Sequence, residues 1–164
     1  MQTSKSQIEK LFERFPELEN LREVLFLTLD ELLSLYERDG ILFLAGNGGS
    51  AADCDHICGE LMKGFKSKRP LSPNVKENFA DLFGEAGIDT AEKLQNGLRA
   101  VSLLSHPGLL SAFANDVDPE LCFAQQLWAL GRPGDIFLGI YSLYHHCFYL
   151  LIVVIIKLYC LLCY

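Results

Sequence analysis

The stretch LFLAGNGGSAADCDHICGEL, residues 42 to 61, sets a glycine-rich turn directly before a segment carrying a histidine and a carboxylate four residues apart. On a helix, His56 and Glu60 project from one face, near enough to hold one metal ion or to act together on one substrate. That face can carry acid–base chemistry. The same spacing also describes an ordinary surface pair, but here it follows a candidate ligand loop within one or two helical turns. Gly46, Gly48 and Gly49 let the backbone bend sharply and come close to a ligand. Asn47 and Ser50 add polar side chains where a strand ends and a helix begins. An anionic or polyhydroxylated ligand would be held well there. A plain tight connection, with Ser50 serving only as an N-cap, uses the same residues. The loop lacks the Gly-Lys-Ser/Thr of a nucleotide phosphate loop, and its glycine spacing does not match a dinucleotide fingerprint. Cys54 and Cys58 share a helical face of their own, but two thiols without a second nearby pair make a poor zinc site and read as core.

These residues need a scaffold, and the surrounding pattern supplies one. Ile8, Leu11, Phe12 and Phe15 recur at helical spacing up to Pro16, and Leu18, Leu21, Val24, Leu25, Leu32 and Leu35 resume it, predicting a helical N-terminal arm over residues 1 to 40. The second run is apolar on more than one side, which suits packing on a neighbouring subunit or simple deep burial. Asp39-Gly40 closes the arm, and ILFLA opens a short apolar run typical of a strand buried on both faces of a parallel sheet. A helix follows over residues 51 to about 65. RPLSPN then breaks the pattern, and residues 75 to 98 read as one or two polar helices interrupted by glycine. AVSLLS predicts a strand, with helices after Pro107 and from Pro119 to Leu130. GRPGD predicts a tight turn into the strand IFLGI at 136 to 140. This alternation argues for a layered α/β sheet with ligands at the carboxyl ends of its strands.

At 164 residues and half hydrophobic, the chain is sized for one domain with a substantial core. Its net charge of −7 argues against a nucleic-acid partner and for a small molecule or a protein. The six cysteines lie in apolar or helical settings and read as reduced thiols. The charged, amphipathic N-terminus lacks the continuous apolar segment of a signal peptide, so the cytoplasm is the expected compartment.

The segments GNGGSAADCDHICGEL and AFANDVDPELCFAQQLWALGRPGDIFLGI together resemble the first half of the phosphoheptose isomerases, members of the sugar-isomerase (SIS) domain family, over roughly residues 5 to 140. The resemblance implies a flavodoxin-like parallel sheet flanked by helices, incomplete here and preceded by the helical arm. It implies aldose–ketose isomerisation of sedoheptulose 7-phosphate to D-glycero-D-manno-heptose 7-phosphate, in a homotetramer whose sites are shared between subunits. By the same resemblance Asn47, Gly48, Gly49 and Ser50 fall on the substrate loop, and His56 falls on a zinc ligand. Glu60 falls on the catalytic base, which also approaches the metal, and Asn115 and Asp116 on a second substrate-contacting pair. Read without the resemblance, Asn115-Asp116 is a helix-ending turn before Pro119. The chemistry is consistent with Glu60: moving a carbonyl between adjacent carbons needs a carboxylate to carry a proton across, with a positive centre to stabilise the enediolate.

After IFLGI the resemblance stops. The family continues with a Ser/Thr-rich loop for the sugar phosphate, then a second half bearing the glutamine and histidine that complete the zinc site. Here the chain reads YSLYHHCFYLLIVVIIKLYCLLCY. Lys63-Gly64 also stands where the family has Gly-Arg. Residues 41 to 140 are thus expected to form a partial SIS domain, and 141 to 164 an apolar tail foreign to the family. The tail reads as a membrane span, against which Lys157 interrupts the run and no charged flank follows, as a buried helix, or as the product of a frameshift or truncation. The last is preferred because charge, glycine and proline vanish abruptly and an evolved soluble protein would not expose so large an apolar segment. His145-His146 and Cys160-x-x-Cys163 belong to it and carry no chemical weight. The expected function is a phosphosugar isomerase impaired in this chain, with a noncatalytic sugar-phosphate binding or regulatory domain as the alternative. A tail-anchored membrane protein is a third reading, and a membrane partner is not expected.

Overall fold

The computed structural model describes the backbone of residues 2–145 and 148–157, and side chains over residues 5–140. His146, Cys160 and Cys163, singled out above, lie outside the described residues. The helical arm is α1 (Gln2–Arg14), a 3-10 segment (Pro16–Leu21) and α2 (Arg22–Glu37). Then follow β1 (Leu42–Gly46), α3 (Gly49–Met62), α4 (Pro73–Lys93), β2 (Ala100–Ser102) and α5 (Pro107–Asp116). A 3-10 turn (Pro119–Leu121), α6 (Cys122–Leu130), β3 (Ile136–His145) and β4 (Phe148–Lys157) complete the order.

The strands lie in the order β2-β1-β3-β4. β1 runs parallel to both neighbours, with Leu42 beside Ala100 on one side and beside Ile136 on the other. Leu42, Phe43, Leu44 and Ala45 are each at most 2% exposed, because side chains alternate to two covered faces. Leu42 and Leu44 join Leu35 of α2, Cys54 and Cys58 of α3, and Ile136 and Ile140 of β3. Phe43 and Ala45 join Leu103, with Phe123 and Leu127 of α6 and Phe137 packed against them. Helices therefore cover both faces, as expected for this α/β class. The chain goes from β1 outward to β2, then returns across β1 to β3, so the winding reverses between β1 and β3. In open sheets of this kind a ligand crevice opens at the carboxyl ends of the strands at that reversal.

Two features depart from the sequence reading. β3 extends five residues past Ile140 and pairs antiparallel with β4, His145 opposite Phe148 and Ile136 opposite Lys157. The sequence offers a membrane span, a buried helix or a frameshift product for the apolar run, and Phe148–Lys157 is a strand, not a helix. Among the described residues no helix is long and apolar enough to cross a membrane. The second feature is α4, which doubles back at Gly84 (φ 58°, ψ −138°), so that Lys76 reaches Glu92 at 2.7 Å. A side chain at Gly87 would strike the Phe79 carbonyl, which fixes how closely the two segments pass.

Tyr36 carries a testable irregularity. Its hydroxyl is buried without a hydrogen-bond partner among the described residues. Burial, then the nearby Cys58, pushes its pKa up to about 12, so the phenol stays neutral. Removing an unsatisfied hydroxyl relieves its desolvation penalty, so Tyr36→Phe is expected to leave stability unchanged or raise it by about 1 kcal/mol. Urea denaturation checks this, and a loss of about 1 kcal/mol or more would show that the hydroxyl has a partner.

Candidate functional site

Gly46 ends β1 inside the crevice. A Cβ there would lie 2.8 Å from the Ile140 carbonyl oxygen and 2.9 Å from the Ser50 backbone, so only glycine lets β1, β3 and α3 meet. Gly48, with φ 56° and ψ −122°, turns the chain into α3 through the left-handed region that favours glycine. Nothing lies within 4 Å of a Cβ built at Gly48 or Gly49, so this side of the loop is open to a ligand. Asn47, Gly48 and Gly49 are exposed. Backbone bonds from Ser50 N to Asn47 O and from Ala51 N to Gly48 O, both 3.1 Å, close the first turn. No side chain caps α3. Gly48, not Ser50, holds the N-cap position, and Ser50 is only 5% exposed, which removes the reading of Ser50 as the cap. An uncapped helix start under open glycines favours negative charge.

His56 and Glu60 do share a face of α3: His56 Nε2 stands 3.8 Å from Glu60 Oε1. That face points away from the core formed by Cys54, Cys58, Ile57 and Leu61. The His56 side chain is 77% exposed and that of Glu60 33%. An exposed pair of this kind contributes little to stability. At 1.5 Å rise per residue, His56 lies about 9 Å and Glu60 about 15 Å along the axis from Ser50. Glu60 is nearly three turns from the loop, further than the sequence reading placed it. Asn115 and Asp116 sit at the end of α5, both exposed, with Asn115 Nδ2 donating to Asp116 Oδ1 at 2.9 Å. α5 packs chiefly on α6 and the 3-10 turn before it.

The metal question turns on donor count. A zinc site needs three or four protein donors. His56 and Glu60 are two, and among the described residues no group of three or more His, Cys, Asp or Glu could hold a metal ion. The described residues therefore do not fit a zinc centre. Cys54 and Cys58 add nothing to it: burial and neighbouring negative charge raise both thiols, Cys58 to about 11. With pKa values raised, both stay protonated and inert at neutral pH. In the native chain both are expected to resist alkylation at about pH 8 and to react fully once unfolded, as peptide mass mapping would show. Native labelling within minutes would contradict that burial.

No family model matches the chain. A phosphoheptose isomerase of Roseiflexus sp. is 34% identical over 111 residues, 68% of this chain and 43% of that protein. Those of Maridesulfovibrio salexigens and Helicobacter pylori are 36% and 32% identical, over 61% and 75% of this chain and 36% and 50% of their own lengths. The chain is related to the phosphoheptose isomerases. It spans half or less of each of these relatives' lengths. The fold agrees: the solved phosphoheptose isomerase of Neisseria gonorrhoeae superposes with a TM-score of 0.51 at 24% identity, over 84% of this chain and 54% of that one.

The sequence reading assigned no role to Leu103–His106, the segment that leaves the carboxyl end of β2 next to β1. A lone histidine before a proline has no partner at helical spacing, so no periodic signal marks it.

Proposed function

We propose that this chain carries the substrate-loop portion of a phosphosugar isomerase of the phosphoheptose isomerase type, acting between sedoheptulose 7-phosphate and D-glycero-D-manno-heptose 7-phosphate. One observation carries the reading: the open Gly48-Gly49 turn, at the winding reversal of the sheet, leads directly into the helix that bears His56 and Glu60. Asn47, Gly48, Gly49 and Ser50 hold the polyhydroxylated substrate, with Asn115 and Asp116 as a second contact pair. Glu60 takes the proton from the carbon beside the carbonyl and returns it to the neighbouring carbon, passing through an enediolate. His56 belongs to the same face and, by family resemblance, to a zinc site. The chain's described residues supply only two of its donors, so no step here runs through a metal. Zinc binding by this chain is accordingly expected to be weak and lost on dialysis, and tight stoichiometric zinc in the purified chain would contradict that.

The exposure of His56 and Glu60 fits a site completed by another subunit. Phe15, Leu21, Val24 and Leu27 of the arm are 37 to 59% exposed, which supports association of copies, a tetramer by family resemblance. A noncatalytic sugar-phosphate binding role is the alternative, and the phosphoheptose isomerase relatives support the catalytic reading over it. Titrating the chain with sedoheptulose 7-phosphate, with amide NMR on Gly48 and Gly49, tests the binding that both readings share. Turnover separates them. No shift at either glycine would overturn both.

A further inference from the structure

We infer that His106 is a substrate-positioning residue of this site, presenting an unprotonated Nε2 to accept a hydrogen bond from a hydroxyl of the sugar phosphate. The inference rests on the sugar-phosphate reading above. Its starting point is Gln126, which is 1% exposed and so has its amide orientation dictated by its neighbours. Gln126 Nε2 donates to the Leu103 carbonyl at 2.9 Å and to the Cys122 carbonyl at 3.4 Å. Carbonyls only accept, so the amide nitrogen must face them, and Oε1 must face the other way. There it meets His106 Nδ1 at 3.0 Å. An amide oxygen also only accepts, so Nδ1 carries the ring proton. In the neutral imidazole that leaves Nε2 as a bare acceptor.

The fold places that acceptor at the ligand end of the sheet. β1 and β2 are parallel neighbours, Leu44 beside Ser102, and Leu103 N continues the pairing to Leu44 O at 2.9 Å. The segments that leave their carboxyl ends, the Gly46–Ser50 loop and Leu103–His106, therefore start side by side. A tight turn, Ser105 N to Ser102 O at 3.2 Å, keeps the second short, and His106 is exposed. A buried glutamine thus fixes the tautomer of a ring on an exposed residue whose other nitrogen has no hydrogen-bond partner among the described residues. If the tie served only to join β2 to α6, the outward nitrogen would have no role.

The test is 15N NMR on the side chain of His106 in the unaltered chain, recorded at a pH where the ring nitrogens themselves read as neutral, with sedoheptulose 7-phosphate as probe. Free, Nδ1 should read as protonated and Nε2 as bare. On saturation Nε2 should move toward the hydrogen-bonded range while Nδ1 stays. His106→Asn separates the two roles, since its amide nitrogen can replace Nδ1 toward Gln126 and nothing replaces Nε2. That variant should keep its thermal midpoint and bind the probe about fivefold to tenfold more weakly. If Gly48 and Gly49 respond to the probe but Nε2 does not, or His106→Asn binds as tightly as the unaltered chain, the assignment of His106 is overturned and the site stands. If neither glycine responds, the sugar-phosphate reading falls and takes this assignment with it.

Discussion

Glu60→Gln is expected to abolish isomerisation of sedoheptulose 7-phosphate, lowering kcat by about a thousandfold, in a chain continued past Ile140 with the phosphate loop and second half of a phosphoheptose isomerase. The amide keeps the shape of the carboxylate and the i,i+4 relation to His56, but it cannot take a proton from carbon. Position explains why the test needs the continued chain. Glu60 lies about 15 Å along α3 from the loop that begins the helix. A substrate held by the loop alone has its reacting carbons unaligned with the carboxylate. Misplacement of this kind costs a factor of about a hundred or more, so the 164-residue chain is expected to turn over at under about 1% of the continued chain's rate. Steady-state kinetics on the three proteins decide the matter. Full activity in Glu60→Gln would remove the proton-transfer role from Glu60. An unaltered chain as fast as the continued one would show that the phosphate anchor is dispensable.

What the sequence disclosed was what local patterning controls. ILFLA is apolar without alternation, and β1 is buried on both faces. The 75 to 98 segment reads as one or two helices interrupted by glycine, and Gly84 is where α4 folds back. The spacing of His56 and Glu60 placed them on one face, as observed, because a four-residue separation is a helix's own geometry. What stayed hidden depends on partners distant in sequence. A continuous apolar run reads equally as strand or helix, so β4 became legible only through its pairing with β3. The exposure of His56 follows from which side of α3 the sheet covers, something Cys54 and Cys58 determine and spacing alone does not. The tautomer of His106 depends on a glutamine twenty residues away. The turn GRPGD was legible as a turn, but the work of its last residue was not.

That residue supports the second large prediction. Asp135 is 5% exposed, and its two carboxylate oxygens serve two different backbone donors: Oδ1 accepts from Ile41 N at 2.8 Å and Oδ2 from Arg132 N at 2.8 Å. One bond reaches the residue before β1, the other closes the turn before β3, and Ile136 N to Ile41 O at 3.1 Å lies between them. Asp135 thus clasps the amino ends of the two strands that bring Gly46 beside Ile140 at the crevice. Asp135→Ala leaves two part-buried N–H groups without their acceptor and is expected to cost about 2 to 3 kcal/mol. Asp135→Asn keeps one acceptor but turns an NH₂ toward the other donor, so it should cost roughly half as much. Urea denaturation gives both values, provided the m-values match that of the unaltered chain. The order matters as much as the size, because simple loss of packing would make Asn nearly harmless. An Asp135→Ala chain within about 0.5 kcal/mol of the unaltered protein would mean that the clasp does not hold β1 and β3 together.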